Sequence, residues 1–268
     1  VENRTDTRAT VPSSNVKVRR RANGGLGPRA RVRSSVFDPG VVHLALADQG
    51  IVPDPDELAG WVDAIATRDS VRAIRTGALF AEAADRFAGA GFAVVDTLML
   101  FRADLGDPAV ASLEPRRGAT VTLWPRHHGA AAQIDRAAFG AEWSNGPADL
   151  AEIRRATASH RARARRALTP GRRGVLRRAP LVAFAITGAA GGNGYLQRLA
   201  VMPEHQRQGH GRALTVDSLA WMRRRRLGHA VVNTGADNEP ARALYESIGF
   251  RPLNDRLVVM QLDLVPHQ

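Results

Sequence analysis

The stretch AVMPEHQRQGHGRAL, residues 200–214, holds the residues whose types and spacing point most directly to chemistry. An apolar run stops, two glycines appear among polar and basic residues, and an apolar pattern resumes at Ala213 and Leu214. A strand feeding a glycine-rich turn and then a helix leaves backbone N–H groups free where an anion can dock. The first helical turn has unpaired donors, and the helix dipole is positive there. Gly209 and Gly211 allow close backbone approach, and Arg207 and Arg212 add charge. The physical reading is a pyrophosphate cradle; the plain alternative is a tight turn whose glycines only permit positive φ.

A second element follows in NTGADNEPARALYESIGF, residues 233–250. Asn238 can cap a helix on which Ala241, Leu244, Tyr245 and Ile248 share one face. Tyr245 on that face reads as a core residue with a satisfied hydroxyl.

Taken in order, the two elements resemble the GCN5-related N-acetyltransferase (GNAT) superfamily. Gln206, Gly209 and Gly211 fill its Q/R-x-x-G-x-G/A signature, and Asn238, Ala241, Leu244, Tyr245, Gly249 and Phe250 fill the later N-x-x-A-x-x-L-Y-x-x-x-G-F pattern. The resemblance covers roughly residues 119–268 and implies acetyl-CoA as cosubstrate, a primary amine as acceptor, and no metal. It further implies that backbone groups of Leu199 and Val201 pair with the pantetheine arm. Amides of Arg207, Gln208, Gly209, His210, Gly211 and Arg212 would hold the pyrophosphate, with Gln206 leading into the turn and Asn238 touching the cofactor. A strand N–H near Leu199 would stabilise the developing oxyanion. Tyr245 would protonate the departing thiolate, a transfer uphill from a phenol of pKa about 10 to a thiol of about 8.5 unless the site tunes it. The base is missing from this pattern. Gln197 stands where many relatives carry a glutamate, and Glu204 and His205 fall in the loop.

The elements that must position these residues read as mixed α/β. Between Val36 and Leu105, strands near Val41–Leu46, Val71–Thr76 and Val94–Arg102 alternate with helices near Pro55–Thr67 and Ala81–Ala90. Gly106–Gly118 reads as a linker. A strand at Ala119–Trp124 and helices near Gly129–Phe139 and Pro147–Ala158 follow. HRARARRAL is an edge-strand candidate, and the strands APLVAFAITG and GYLQRLAV lead into the glycine turn. The expected fold is a mixed central sheet of GNAT type with flanking helices, preceded by a smaller α/β segment. Residues 1–35 read as a disordered basic arm, 36–105 as a degenerate half-domain and 119–268 as the catalytic domain.

The half-domain reading comes from an internal repeat. TGALFAEAADRFAGAGF, residues 76–92, lies over residues 234–250 with Thr76, Gly77, Ala78, Ala83, Gly91 and Phe92 matched. Phe87 replaces Tyr245, Phe80 replaces Asn238, and the preceding loop carries Asp54, Asp56 and Glu57 with no Gly-x-Gly. Such a segment is expected to pack or bind without using acetyl-CoA.

Composition narrows the class. There is no cysteine, which excludes disulfides, zinc–thiolate sites and a cysteine nucleophile. No window reaches membrane length, and residues 1–35 lack the apolar core of a secretory signal, so a soluble cytoplasmic protein is expected. Lys17 is the only lysine behind a formal charge of +12. Arginine clusters at 19–21, 161–166, 172–178 and 223–226 can meet phosphates, but no aromatic residues interleave with them, and solvated faces are the plainer reading. Glu142, Asp149 and Glu152 can attract a cationic amine, with Trp143 as a cleft wall. A non-catalytic acetyl-CoA-binding or sensing module and a nucleic-acid-associated protein are the competing classes.

Overall fold

A computed structural model describes residues 26–35, 38–48, 50–167 and 179–264. The arginine clusters at 19–21 and 172–178 lie outside the described residues. The N-terminal half runs β1 (Ala30–Ser34), β2 (Val41–Leu46), α1 (Pro55–Ala66), β3 (Ala73–Thr76), α2 (Ala81–Gly89) and β4 (Ala93–Asp104). After α3 (Pro108–Ala111) come β5 (Val121–Thr122), α4 (His128–Trp143), α5 (Pro147–Arg155), β6 (Ser159–Arg166), β7 (Leu181–Ala190) and β8 (Asn193–Val201). The chain closes with α6 (His210–Arg224), β9 (His229–Gly235), α7 (Glu239–Glu246) and β10 (Arg251–Asp263).

Local chemistry accounts for the helices. Asp54 caps α1 by accepting from Glu57 N, Pro55 sits in the first turn, and Leu58, Trp61 and Ile65 form the buried stripe. The α2 and α7 helices both end before a glycine of positive φ, Gly91 (88°) and Gly249 (97°), which a side chain would strain. The next residue, Phe92 or Phe250, turns into the core.

All ten strands form one sheet in the order β1-β2-β3-β10-β4-β9-β8-β7-β6-β5. The centre of this order shows how the halves are joined. β4 ends the N-terminal half yet pairs with β9, from Leu98 opposite Gly235 to Asp104 opposite His229. β10 ends the C-terminal half yet pairs with β3, from Gln261 opposite Arg75 to Asp263 opposite Ala73. β4 and β10 pair with each other between them. Each half therefore completes the other's sheet with its own last strand. The units β2-α1-β3-α2-β4 and β8-α6-β9-α7-β10 repeat, as the internal match implied.

Helices α1, α2, α6 and α7 cover one face. Phe87 and Trp61 fill the N-terminal core there; Phe101, Trp221 and Tyr245 fill the C-terminal one. Helices α4 and α5 cover part of the other face over Phe184 and Ile186.

Three expectations change. β1 falls inside the segment read as an arm, because Leu26 and Ala30 are buried against the N-terminal core; a run holding two apolar anchors gives no periodic signal. The segment read as a linker carries α3, whose Val110 is fully buried in the C-terminal core. A side chain on Gly249 would meet Val110 Cγ2 at 2.7 Å. The acidic wall is also already paired: Arg33 binds Asp149 at 2.9 Å, Arg31 meets Glu152 at 3.8 Å, and Arg75 binds Glu142 at 2.7 Å and lies 4.8 Å from the Trp143 ring. These residues join the halves.

Removing residues 1–110 takes β4 from between β9 and β10 and leaves both with bare edges. The 111–268 fragment is expected to aggregate or to lose its cooperative thermal transition. A soluble fragment melting at the full-length temperature would refute the exchanged-strand dependence.

Candidate functional site

The site begins where the sheet opens. β8 pairs with β9 only from Asn193 opposite His229 to Tyr195 opposite Val231. Beyond that, β8 continues to Val201 against β7, and β9 continues to Gly235 against β4. The facing edges of Leu196–Val201 and Val232–Gly235 are left unpaired, and a strand edge without a partner offers backbone donors and acceptors to a ligand. The separation starts at a bulge: Ile186 faces Arg198 and Thr187 faces Leu196, so Gln197 is the extra residue.

The N-terminal half lacks this opening. With Thr76 matched to Thr234, Ala73 takes the place of Val231. The β2–β3 ladder goes on past that point through Val42 opposite Ile74, His43 opposite Arg75 and Leu44 opposite Thr76. Its helix N-terminus is occupied as well, since the Asp54 carboxylate accepts from Glu57 N at 2.8 Å.

Past β8, a 3-10 turn at Pro203–His205 leads to Gln206, then Arg207 at φ 55° and Gly209 at φ 77°, and α6 starts at His210. No backbone N–H from Arg207 to Arg212 has an acceptor among the described residues. The neighbouring side chains hold this turn rather than face a ligand. Gln206 Nε2 donates to Val201 O at 3.4 Å, Gln208 Nε2 to Glu204 O at 3.1 Å, and Arg212 Nη1 to Ser247 O at 3.4 Å. His210 is 1% exposed, and its Nδ1 accepts from Arg165 Nε at 3.1 Å, so it offers the site only its backbone. Burial, then Arg165 and His205, pushes its pKa down, and the ring is neutral. A side chain on Gly211 would crowd Leu244 Cδ2 at 3.1 Å, which keeps α6 close against α7.

Leu199, Val201 and Leu244 pack on the apolar cluster that contains Tyr245, so the open edge, the turn and the tyrosine share one core. Tyr245 is 4% exposed, with ring centroids 6.1 Å from Phe101 and 5.7 Å from Phe250. Burial holds its phenol well above the ordinary value, so the hydroxyl keeps its proton at neutral pH. Asn238 Oδ1 accepts from Ala241 N at 3.2 Å and caps α7.

Gln197 does not reach into the opening. Its side chain lies over Gly188, whose Cβ would meet Gln197 Oε1 at 2.7 Å, and that oxygen is buried without a partner. Glu204 is exposed in the turn. The arginines of β6 are committed internally: Arg161 Nε to Asp217 Oδ2 at 2.8 Å, Arg163 Nε to Thr120 Oγ1 at 3.0 Å, and Arg165 to His210 and Ala119 O. Sequence reasoning missed this role for Arg165. The signal was the Arg–Ala alternation, which puts Ala162 and Ala164 in the core and the intervening arginines on the side of α6.

Residues 132–250 match the model of the acetyltransferase (GNAT) family. That segment belongs to the GNAT family. Over 53 residues the chain is 51% identical to the mycothiol acetyltransferase of Acidothermus cellulolyticus, covering 20% of this chain and 16% of that protein. Over 70 residues it is 40% identical to the [ribosomal protein bS18]-alanine N-acetyltransferase of Escherichia coli (strain K12), covering 26% and 47%. The chain thus spans less than half the length of these curated relatives. Beyond the GNAT segment, the fold resembles a tandem GNAT protein from the clavulanic acid biosynthesis pathway (TM-score 0.58, 15% identity, 85% of this chain and 77% of that one). It also resembles a GCN5-related N-acetyltransferase from Sphaerobacter thermophilus (TM-score 0.57, 14% identity, 88% and 76%). Among the described residues, no helix is long and apolar enough to cross a membrane.

Asn238→Ala removes the cap of the α7 helix that carries Tyr245. Urea unfolding should show a loss of about 1 kcal/mol. No loss would mean that the Asn238 side chain adds nothing to the stability of α7 and that the cap seen at Ala241 N is replaceable by water.

Proposed function

We propose that the chain is an acetyl-CoA-dependent N-acetyltransferase acting on a primary amine, with its site in the GNAT segment. The observation that carries this reading is the coincidence of an opened strand pair with a turn of unpartnered N–H groups at the start of α6. The open edge at Leu199 and Val201 suits the amide-bearing pantetheine arm. The N–H groups of Arg207 to Arg212 suit the pyrophosphate, with the exposed Arg207 side chain beside them. Asn238 retains its amide nitrogen for the cofactor while its oxygen caps α7.

When bound, acetyl-CoA supplies an activated acyl group as a thioester. Amide formation releases a thiol, so a proton must reach sulfur. Tyr245 Oη keeps the proton it would give, and its raised pKa makes that transfer more uphill than from an ordinary phenol until acetyl-CoA and acceptor fill the site. An N–H of the Leu199 edge stabilises charge on the reacting oxygen. With Gln197 turned away, the amine arrives neutral or loses its proton to water. The names of the relatives support an acceptor that is either a small-molecule amine or a protein N-terminus. Turnover without added acceptor specificity would favour neither; a binding-only module, the second reading, would release no thiol with any amine.

Two variants test the site. Gly209→Glu places a strained side chain and a negative charge in the turn. Calorimetry should show loss of CoA binding in a protein that still melts cooperatively, and unchanged affinity would remove the cradle. Tyr245→Phe keeps the packing and deletes the proton. Turnover should fall by about a hundredfold or more with CoA affinity unchanged. Full turnover, with chemistry shown to limit the rate, would make Tyr245 structural.

A further inference from the structure

A cavity of about 700 Å³ lies where the two halves meet, outside the site described above. Its walls come from the first residues of β2 and β3, the last of β10 and the end of α4. The turn into α1 leaves from the other end of β2, so this space is not the N-terminal counterpart of the cradle.

Arg75 sets its chemistry. The side chain is 8% exposed. Its Nε and Nη2 donate to Gln261 Oε1 at 3.0 and 2.6 Å, and Nη2 also donates to Glu142 Oε1 at 2.7 Å. These bonds fix the guanidinium, yet none of them uses Nη1, which has no acceptor among the described residues. His43 faces Arg75 in the β2–β3 ladder. It is half-buried, and neither ring nitrogen has a hydrogen-bond partner among the described residues. Burial first, then the charges of Arg33 and Arg75 against the weaker pull of Asp149, brings its pKa down to about 4. At neutral pH the ring is uncharged and carries one N–H to donate.

The carboxylates around the space are engaged. Asp38 holds both terminal nitrogens of Arg72, Glu142 holds Arg75, and Asp263 accepts from Gln261 Nε2 at 2.7 Å. What remains unmet is a pair of donors, one charged and one neutral, beside the apolar side chains of Val41, Ala73 and Leu264. Two such donors match the two oxygens of a carboxylate. A phosphate dianion would bring a second charge toward the three carboxylates that line the same space.

We propose that this cavity binds a small carboxylate, its oxygens taken by Arg75 Nη1 and the His43 imidazole and its carbon skeleton laid on Val41, Ala73 and Leu264. The test is calorimetry on the full chain with butyrate, lactate and inorganic phosphate as probes. At least one carboxylate should bind saturably in the millimolar range or below, and phosphate should not. Arg75→Met should weaken that binding about tenfold or more, the usual loss for a charge-assisted hydrogen bond. His43→Phe should weaken it in the same direction while preserving volume, and it serves if the Arg75 variant fails to fold. Gly209→Glu should bind the carboxylate like the parent chain, which separates this site from the cradle. Absence of carboxylate binding, equal binding of phosphate, or binding indifferent to His43→Phe would overturn the proposal.

Discussion

The backbone ladder between β4 and β10 is the interaction on which the rest of the molecule depends. Because β4 inserts between β10 and β9, neither half owns a complete sheet. Strand edges have to be paired, covered or charged, and here each half covers the other's. Leu100 on β4 and Leu257 on β10 are fully buried at this junction, with Tyr195 and Val231 from the C-terminal half beside them. The ion pairs of Arg33 and Arg75 with α5 and α4 add a second, more exposed tie. Such pairs contribute little individually, so the ladder and the apolar burial carry most of the joint.

That joint also lets the site exist. β9 can part from β8 after Tyr195 because its other edge stays paired with β4 as far as Gly235. A strand bare on both sides would leave its backbone groups dependent on water alone. The bulge at Gln197 starts the opening on the β8 side, while Gly211 allows α6 to sit close against α7. The glycine turn, through Gly211 beside Leu244 and Val201, meets the open edge and the tyrosine at one apolar cluster for this reason.

The two halves show how one topology divides its tasks. In the N-terminal half the equivalent strands stay zipped to Leu44 and Thr76, and Asp54 fills the helix N-terminus with its own carboxylate. The polar groups there turn instead toward the C-terminal half and toward the cavity beside Arg75. The arginine-rich strand β6 is likewise internal: its guanidinium groups join Thr120, Asp217 and His210 and hold the start of α6 in place.

What the sequence determined by itself was local. The Gly209–Gly211 spacing, the Asn238 cap, the apolar face of α7 and the alternation in β6 all act within a few residues, where φ, capping and side-chain period dictate structure directly. The internal repeat was legible for the same reason: Gly91 and Gly249, with Phe92 and Phe250, end equivalent helices in equivalent ways. Tertiary structure decided which strand pairs with which. Any apolar strand of suitable length can complete a sheet edge, so nothing in Ala93–Asp104 announces β9 as its neighbour. The pairing of Glu142, Asp149 and Glu152 with distant arginines, the turning of Gln197 onto Gly188, and the cavity at Arg75 follow from that choice of neighbours. They are contacts between residues far apart in the chain, and composition and periodicity carry no record of them.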